Sequence, residues 1–104
     1  MNKTNTKEDL LQKAKLERQI DEPPLFKVIL HNDDYTTMEF VVQVLIEIFR
    51  KSVEEATDIM LRVHNENLGV CGIYAKEIAE TKVEMVHAKA SASGFPLLAS
   101  YEKA

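Results

Sequence analysis

At 104 residues, 45% of them hydrophobic, the chain suits one compact domain with a core of its own rather than two. A net charge of −4, with no basic run longer than Arg50-Lys51, excludes a nucleic-acid-binding face, and the lone Cys71 excludes a disulfide framework and any multi-thiolate metal site. The longest apolar stretch, Phe40 to Phe49, is broken by Gln43 and Glu47 and is too short to span a bilayer, and the polar N-terminus lacks a signal-peptide core, so a cytoplasmic protein without membrane contact is expected.

Residues 1–22 hold five bases and five acids with only scattered Leu10, Leu11, Leu16 and Ile20, and they predict a mostly disordered extension with at most a transient helix. Pro23-Pro24 forces extended backbone and removes two donors, which places a domain boundary between an extension over 1–24 and a core over 25–104. Leu25 to Leu30 alternates as a strand, with Phe26, Val28 and Leu30 on one face and Lys27, Ile29 and His31 on the other. From Thr37 to about Lys51, Glu39, Gln43, Glu47 and Arg50 leave one polar stripe on an otherwise apolar helix. Thr36 with Glu39 reads as a capping box for that helix, and Ser52 with Glu55 as a second one, opening a helix to about Asn67 whose face carries Val53, Ala56, Thr57, Met60, Leu61 and His64.

Gly69 to Tyr74 reads as a second strand, in which Gly72 leaves room for another backbone. A third helix spans about Ala75 to Ala90, with Ile78, Ala79, Val83, Val86 and Ala90 inward, and Ser91 to Gly94 ends it. Phe95 to Tyr101, with Pro96 near its start, reads as a last, edge strand. The order is β-α-α-β-α-β, an α/β (α+β) sandwich of three helices on a small three-stranded sheet.

The chemistry gathers where the first strand meets the first helix. Asn32, Asp33 and Asp34 put several acceptors in one small volume, which suits a cationic or donor-rich group, although Asn and Asp are also ordinary turn residues. His64, one turn beyond Met60, is the other polar group of interest. Two classes of function stay open on the residues alone: a binding module, and a metal-dependent hydrolase built on Asp33, Asp34 and His64. The hydrolase lacks a nucleophile, and His31 and His87 have no ligand-type spacing.

The runs Val28-Ile29-Leu30-His31-Asn32-Asp33-Asp34-Tyr35-Thr36, Met38-Glu39-Phe40-Val41-Val42, Met60-Leu61-Arg62-Val63-His64, Gly69-Val70-Cys71-Gly72, Ala79-Glu80-Thr81-Lys82-Val83 and Pro96-Leu97-Leu98 resemble, in order, the ClpS family of adaptors that select N-degron substrates for the Clp protease. The resemblance implies an adaptor without catalysis, cofactor or metal; it also brings in, as an alternative, a ribosomal-stalk-like interaction domain, which shares a similar fold among the family's structural relatives but lacks the Asn-Asp-Asp corner. It implies recognition of a free α-amine and a first Phe, Tyr, Trp or Leu. The positions matching the family's amine site are Asn32, Asp34 and His64 with Asp33 beside them, and those matching its side-chain pocket are Leu30, Thr36, Met38, Val41, Met60, Val63 and Leu97. Glu77, Thr81 and Lys82 match positions that dock on the N-terminal domain of a ClpA-like AAA+ unfoldase, and the extension matches the segment that the unfoldase engages. Two departures stand out: Thr37 occupies a position where many relatives have Pro, and Ala75 one where a capping Thr is common.

Overall fold

A computed structural model describes residues 6–21 and 23–104; the disorder expected for residues 1–5 and Glu22 lies outside the described residues. The elements run α1 (Lys7–Asp21), β1 (Leu25–His31), α2 (Met38–Glu47), α3 (Val53–Glu66), β2 (Leu68–Ala75), α4 (Lys76–Ser93) and β3 (Leu98–Lys103). The β-α-α-β-α-β order of the core holds. Ahead of it stands a helix where a mostly disordered segment is expected. Thr6 caps α1 by accepting the Asp9 N–H at 3.2 Å, and Leu, Gln, Lys, Ala, Glu and Arg that follow are good helix formers. Lys7 to Ala14 are exposed throughout, so over that stretch the helix rests on local propensity and the cap.

β1 is the middle strand of an antiparallel sheet ordered β2-β1-β3. That position explains why Ile29, on the face shared with Lys27 and His31, is 4% exposed: Val70 and Ser100 stand opposite it on the two flanking strands. Val28 and Leu30 point the other way, into one core with Val44 and Leu45 of α2, Ala56 and Val63 of α3, Val86 of α4, and Cys71. Cys71 is buried as expected, and burial pushes its thiol up to about 12. Gly69 lets α3 approach β2, since a Cβ there would lie 2.9 Å from Val63 Cγ2 and 3.4 Å from the Ile59 carbonyl. At Gly72 the space is filled by the Tyr74 side chain, and not by another backbone.

Several boundaries and faces shift from those read in the sequence. α2 stops at Glu47, because Arg50 takes a left-handed φ of 56° and the Lys51 N–H turns back to the Leu45 carbonyl. α4 continues to Ser93, where left-handed Gly94 at φ 77° ends it, and β3 therefore starts at Leu98, beyond Pro96. The buried face of α3 is Ala56, Ile59 and Val63, which leaves Val53 and Leu61 exposed and Met60 at the margin of the core. Ile78, expected inside, is 50% exposed on α4.

Candidate functional site

The corner between β1 and α2 is built on Asp33. Its Oδ1 accepts the backbone N–H groups of Tyr35 at 2.8 Å and Thr36 at 2.7 Å, while its Oδ2 accepts the Thr36 hydroxyl at 2.7 Å. Partial burial pushes this carboxyl up, but the backbone and hydroxyl bonds from Thr36 and the backbone bond from Tyr35 outweigh it, and together they hold it below its ordinary value. Thr36 is thus spent on Asp33 and does not cap the helix. The cap is Thr37, whose hydroxyl accepts the Phe40 N–H at 3.1 Å from an extended backbone at φ −73° and ψ 152°. The second capping box is as read, with Ser52 and Glu55 reciprocally bonded, and Ala75 leaves α4 without a side-chain cap.

A second tie brings the corner to α3. Asn67, in the left-handed conformation at φ 73°, ends that helix, and its carbonyl accepts the Asn32 N–H at 2.8 Å. Asn32 is thereby joined to the residue three places after His64. Around this junction lies a cavity of about 460 Å³ lined by Asn32, Asp33, Asp34, Thr36, Thr37, Met38, Glu39, Val41, Met60, Val63 and His64. Asn32, Asp34 and His64 are exposed there, and among the described residues none of the three has its side chain in an intramolecular hydrogen bond. Buried Val41 and Val63 form the apolar depth, and Met38, 41% exposed, stands with half-buried Met60 toward the mouth.

The cavity therefore has a polar side and an apolar side. Asp33, Asp34 and Glu39 line it and no Lys or Arg does, so its field favours a cation. Nine of the eleven residues first named as amine site or side-chain pocket meet there. Leu30 and Leu97 do not: at 0% and 3% exposure they belong to the core, where branched side chains on inward strand and loop positions pack against the helices. Thr37 and Glu39 line the cavity although the sequence reading gave them only helix-start roles. Their signal was adjacency to Met38.

On α4, Glu77 and Thr81 are exposed, with the Thr81 hydroxyl donating to the Glu77 carbonyl at 3.0 Å, while Lys82 is half-buried. No group of three or more His, Cys, Asp and Glu side chains among the described residues could hold a metal ion. No helix among them is long and apolar enough to cross a membrane.

A small antiparallel α/β sandwich with an acceptor-rich, half-apolar cavity at one strand-to-helix corner is the framework of a binding domain. Comparison with known proteins gives the family. Residues 21–100 match the family model of the ATP-dependent Clp protease adaptor protein ClpS. The chain is 58% identical over 101 residues to the ATP-dependent Clp protease adapter protein ClpS of Oleidesulfovibrio alaskensis, covering 97% of this chain and 95% of that one. It is 61% identical over 85 residues to the same adapter of Desulfatibacillum aliphaticivorans, covering 82% of each. Among solved structures, Agrobacterium tumefaciens ClpS2 bound to L-phenylalaninamide superposes with a TM-score of 0.77 at 37% identity, over 80% of this chain and all of that one. The chain belongs to the ClpS family. It is an adaptor of the Clp protease, not an enzyme, which sets aside the hydrolase and stalk-like alternatives.

Proposed function

We propose that the cavity receives the first residue of a substrate polypeptide and that the chain hands that substrate to a Clp unfoldase. The observation that carries this reading is the division of one cavity into exposed acceptors and an apolar depth, with three carboxylates on its lining and no Lys or Arg. A terminal α-amine, with a pKa of ~7.7–8.0, is mostly protonated at pH 7 and offers three donors. The Asn32 amide oxygen, the Asp34 carboxylate and an imidazole nitrogen of His64 supply three acceptors, with Asp33 holding the corner that presents them. Met38, Val41, Met60, Val63 and Thr36 surround the first side chain, and Leu30 and Leu97 support that wall from the core. The apolar depth favours Phe, Tyr, Trp or Leu. That a relative was solved with phenylalaninamide, a free amine beside a benzyl group, supports the same reading.

Delivery draws on other parts of the chain. Glu77, Thr81 and Lys82 dock on the N-terminal domain of a ClpA-like unfoldase. Residues 1–24 serve as an extension that the unfoldase grips, separate from the binding core over 25–104. The exposure of Lys7 to Ala14 supports a handle, because a helical stretch held by no tertiary packing unwinds at little cost.

One peptide series tests both halves. A free Phe-initiated peptide should bind and its N-acetylated form should lose at least one charge-assisted bond, ~1.5–3 kcal/mol. Equal binding of the two would sink the amine assignment. A chain beginning at Pro23 should bind the free peptide as the full chain does and fail to speed degradation of a Phe-initiated reporter by the Clp protease. Full delivery by that shortened chain would remove the handle.

A further inference from the structure

Helix α2 carries Met38 and Val41 of the cavity at one end, and at its other end the Ile48 N–H returns to the Val44 carbonyl and the Lys51 N–H to the Leu45 carbonyl, which leaves the Ile48 carbonyl just past the helix to find a partner elsewhere. The helix has no basic residue in its last turn, and the backbone leaves it through left-handed Arg50. Carbonyls of a final helical turn need outside partners when they are not open to water. Here the partner comes from α4. The Lys82 ammonium donates to the Ile48 carbonyl at 2.6 Å, across 34 residues of sequence, while Lys89 makes a separate ion pair with the side-chain carboxylate of Glu47. Lys82 also lies 5.8 Å over the Tyr74 ring, which in turn packs on Phe49 with ring centroids 6.4 Å apart. Lys82, Tyr74, Phe49 and Ile48 thus knit α4, β2 and the end of α2 into one cluster.

We infer that Lys82 is a positioning residue for the cavity, acting through the C-terminal end of α2. α2 is ten residues long, a rod of ~15 Å. Its N-terminal half faces Met60 and Val63 of α3 across the cavity, so the tilt of the rod sets the gap between the two apolar walls. Freeing the rod at Ile48 lets that gap vary. This rests on the reading of the cavity as a pocket for the first residue, and it goes beyond it by making the face of α4 and the pocket parts of one mechanical unit. It also means that Lys82 is already engaged within the chain when a partner approaches α4.

The test uses peptides alone, with the full chain and no unfoldase, at a temperature where near-ultraviolet circular dichroism shows every variant folded. Binding of Phe-initiated and Val-initiated peptides is measured for the unsubstituted chain, Lys82→Met, Lys82→Arg and Val86→Ala. Mutations along a coupled network shift affinities by about two- to thirty-fold. Lys82→Met should weaken Phe-peptide binding by about threefold or more and narrow the preference for Phe over Val, and Lys82→Arg, which keeps a donor within reach of Ile48, should recover most of both. Val86→Ala, which removes core volume one turn along α4 and leaves the Lys82 donor in place, should lower the melting temperature and leave both values unchanged. If Lys82→Met binds and discriminates as the unsubstituted chain does, or if Val86→Ala reproduces its losses, the positioning role is overturned. Failure of the unsubstituted chain to bind the Phe peptide overturns the pocket reading itself, and the inference with it.

Discussion

Two strand-to-helix junctions in this chain solve the same mechanical problem in opposite ways. β2 passes from Ala75 straight into α4 at Lys76, with no intervening residue and no side-chain cap. β1 reaches α2 only after Asn32 to Thr37, with Asp33 bonded to three donors and Thr37 capping the helix. Since the first junction works without any of this, joining a strand to a helix does not require the second one's polar residues. The corner, held by Asp33, keeps Asn32 and Asp34 as exposed acceptors on the same cavity as His64, where a donor-rich ligand can reach all three.

The largest test removes the acceptors and leaves the corner. Asp34→Ala and His64→Ala should each weaken binding of a Phe-initiated peptide by ~1.5–3 kcal/mol, the worth of a hydrogen bond to a charged group. Both residues are exposed, so thermal stability should move by less than ~0.5 kcal/mol. Titration calorimetry paired with a thermal melt separates the two quantities. A loss of stability without a loss of affinity would make the corner a structural device like any other.

Next comes selectivity. Met38 follows directly on the Thr37 cap and stands at the mouth of the cavity, 41% exposed. Its truncation, Met38→Ala, removes bulk where a substrate's Cβ would pass, and Val- and Ile-initiated peptides should gain about 1–3 kcal/mol relative to Phe, the usual range for one or two carbons in an apolar pocket. An unchanged order among Phe, Leu, Val and Ile would return Met38 to a packing role.

Asp33 gives the comparison a pH axis. Its carboxyl is held below the ordinary value in the fold, so its contribution to stability is complete above the unfolded value, near pH ~4, and is lost as pH falls through the lower folded one. Ala75 contributes no such term. Asp33→Asn should therefore shrink the stability difference between pH 7 and about pH 3, measured by urea unfolding, and an unaltered acid limb would show that the three bonds are not what shapes it.

Much of this was readable before any coordinates, and the misses share a cause. The order of the core elements followed from period-2 and period-3.6 patterns, and the Ser52 cap was unambiguous because no rival hydroxyl adjoins it. At Thr36-Thr37 two hydroxyls stand side by side, and only the competing carboxylate of Asp33 decides which of them caps the helix. Leu30 and Leu97 match the pocket by likeness alone, and their burial in the core is a tertiary fact that no spacing encodes. The bond from Lys82 to Ile48 was equally invisible, because a lysine on a helix face reads as solvated until the helix it reaches is placed beside it.

The smallest effects come from exchanging the two caps. Thr37→Ala should cost ~1 kcal/mol of stability, within the usual 0.5–2 kcal/mol for losing an N-cap hydroxyl, because the Phe40 N–H then loses its partner in a part-buried place. The reverse change, Ala75→Ser, should stabilise by up to ~1 kcal/mol, since Ala75 already has the extended backbone, φ −59° and ψ 153°, from which a serine hydroxyl can reach the first turn of α4. The two should add, lying on different helices with no shared partner, and the double variant should melt close to the parent. Peptide affinity is what tells the junctions apart. Ala75→Ser should leave it untouched, whereas Thr37→Ala, by fraying the turn that carries Met38, should lower it by a few tenths of a kcal/mol beyond any change in the fraction folded. If Thr37→Ala costs stability alone, the cap holds up the helix and nothing more, and the presentation of the cavity rests on Asp33 without it.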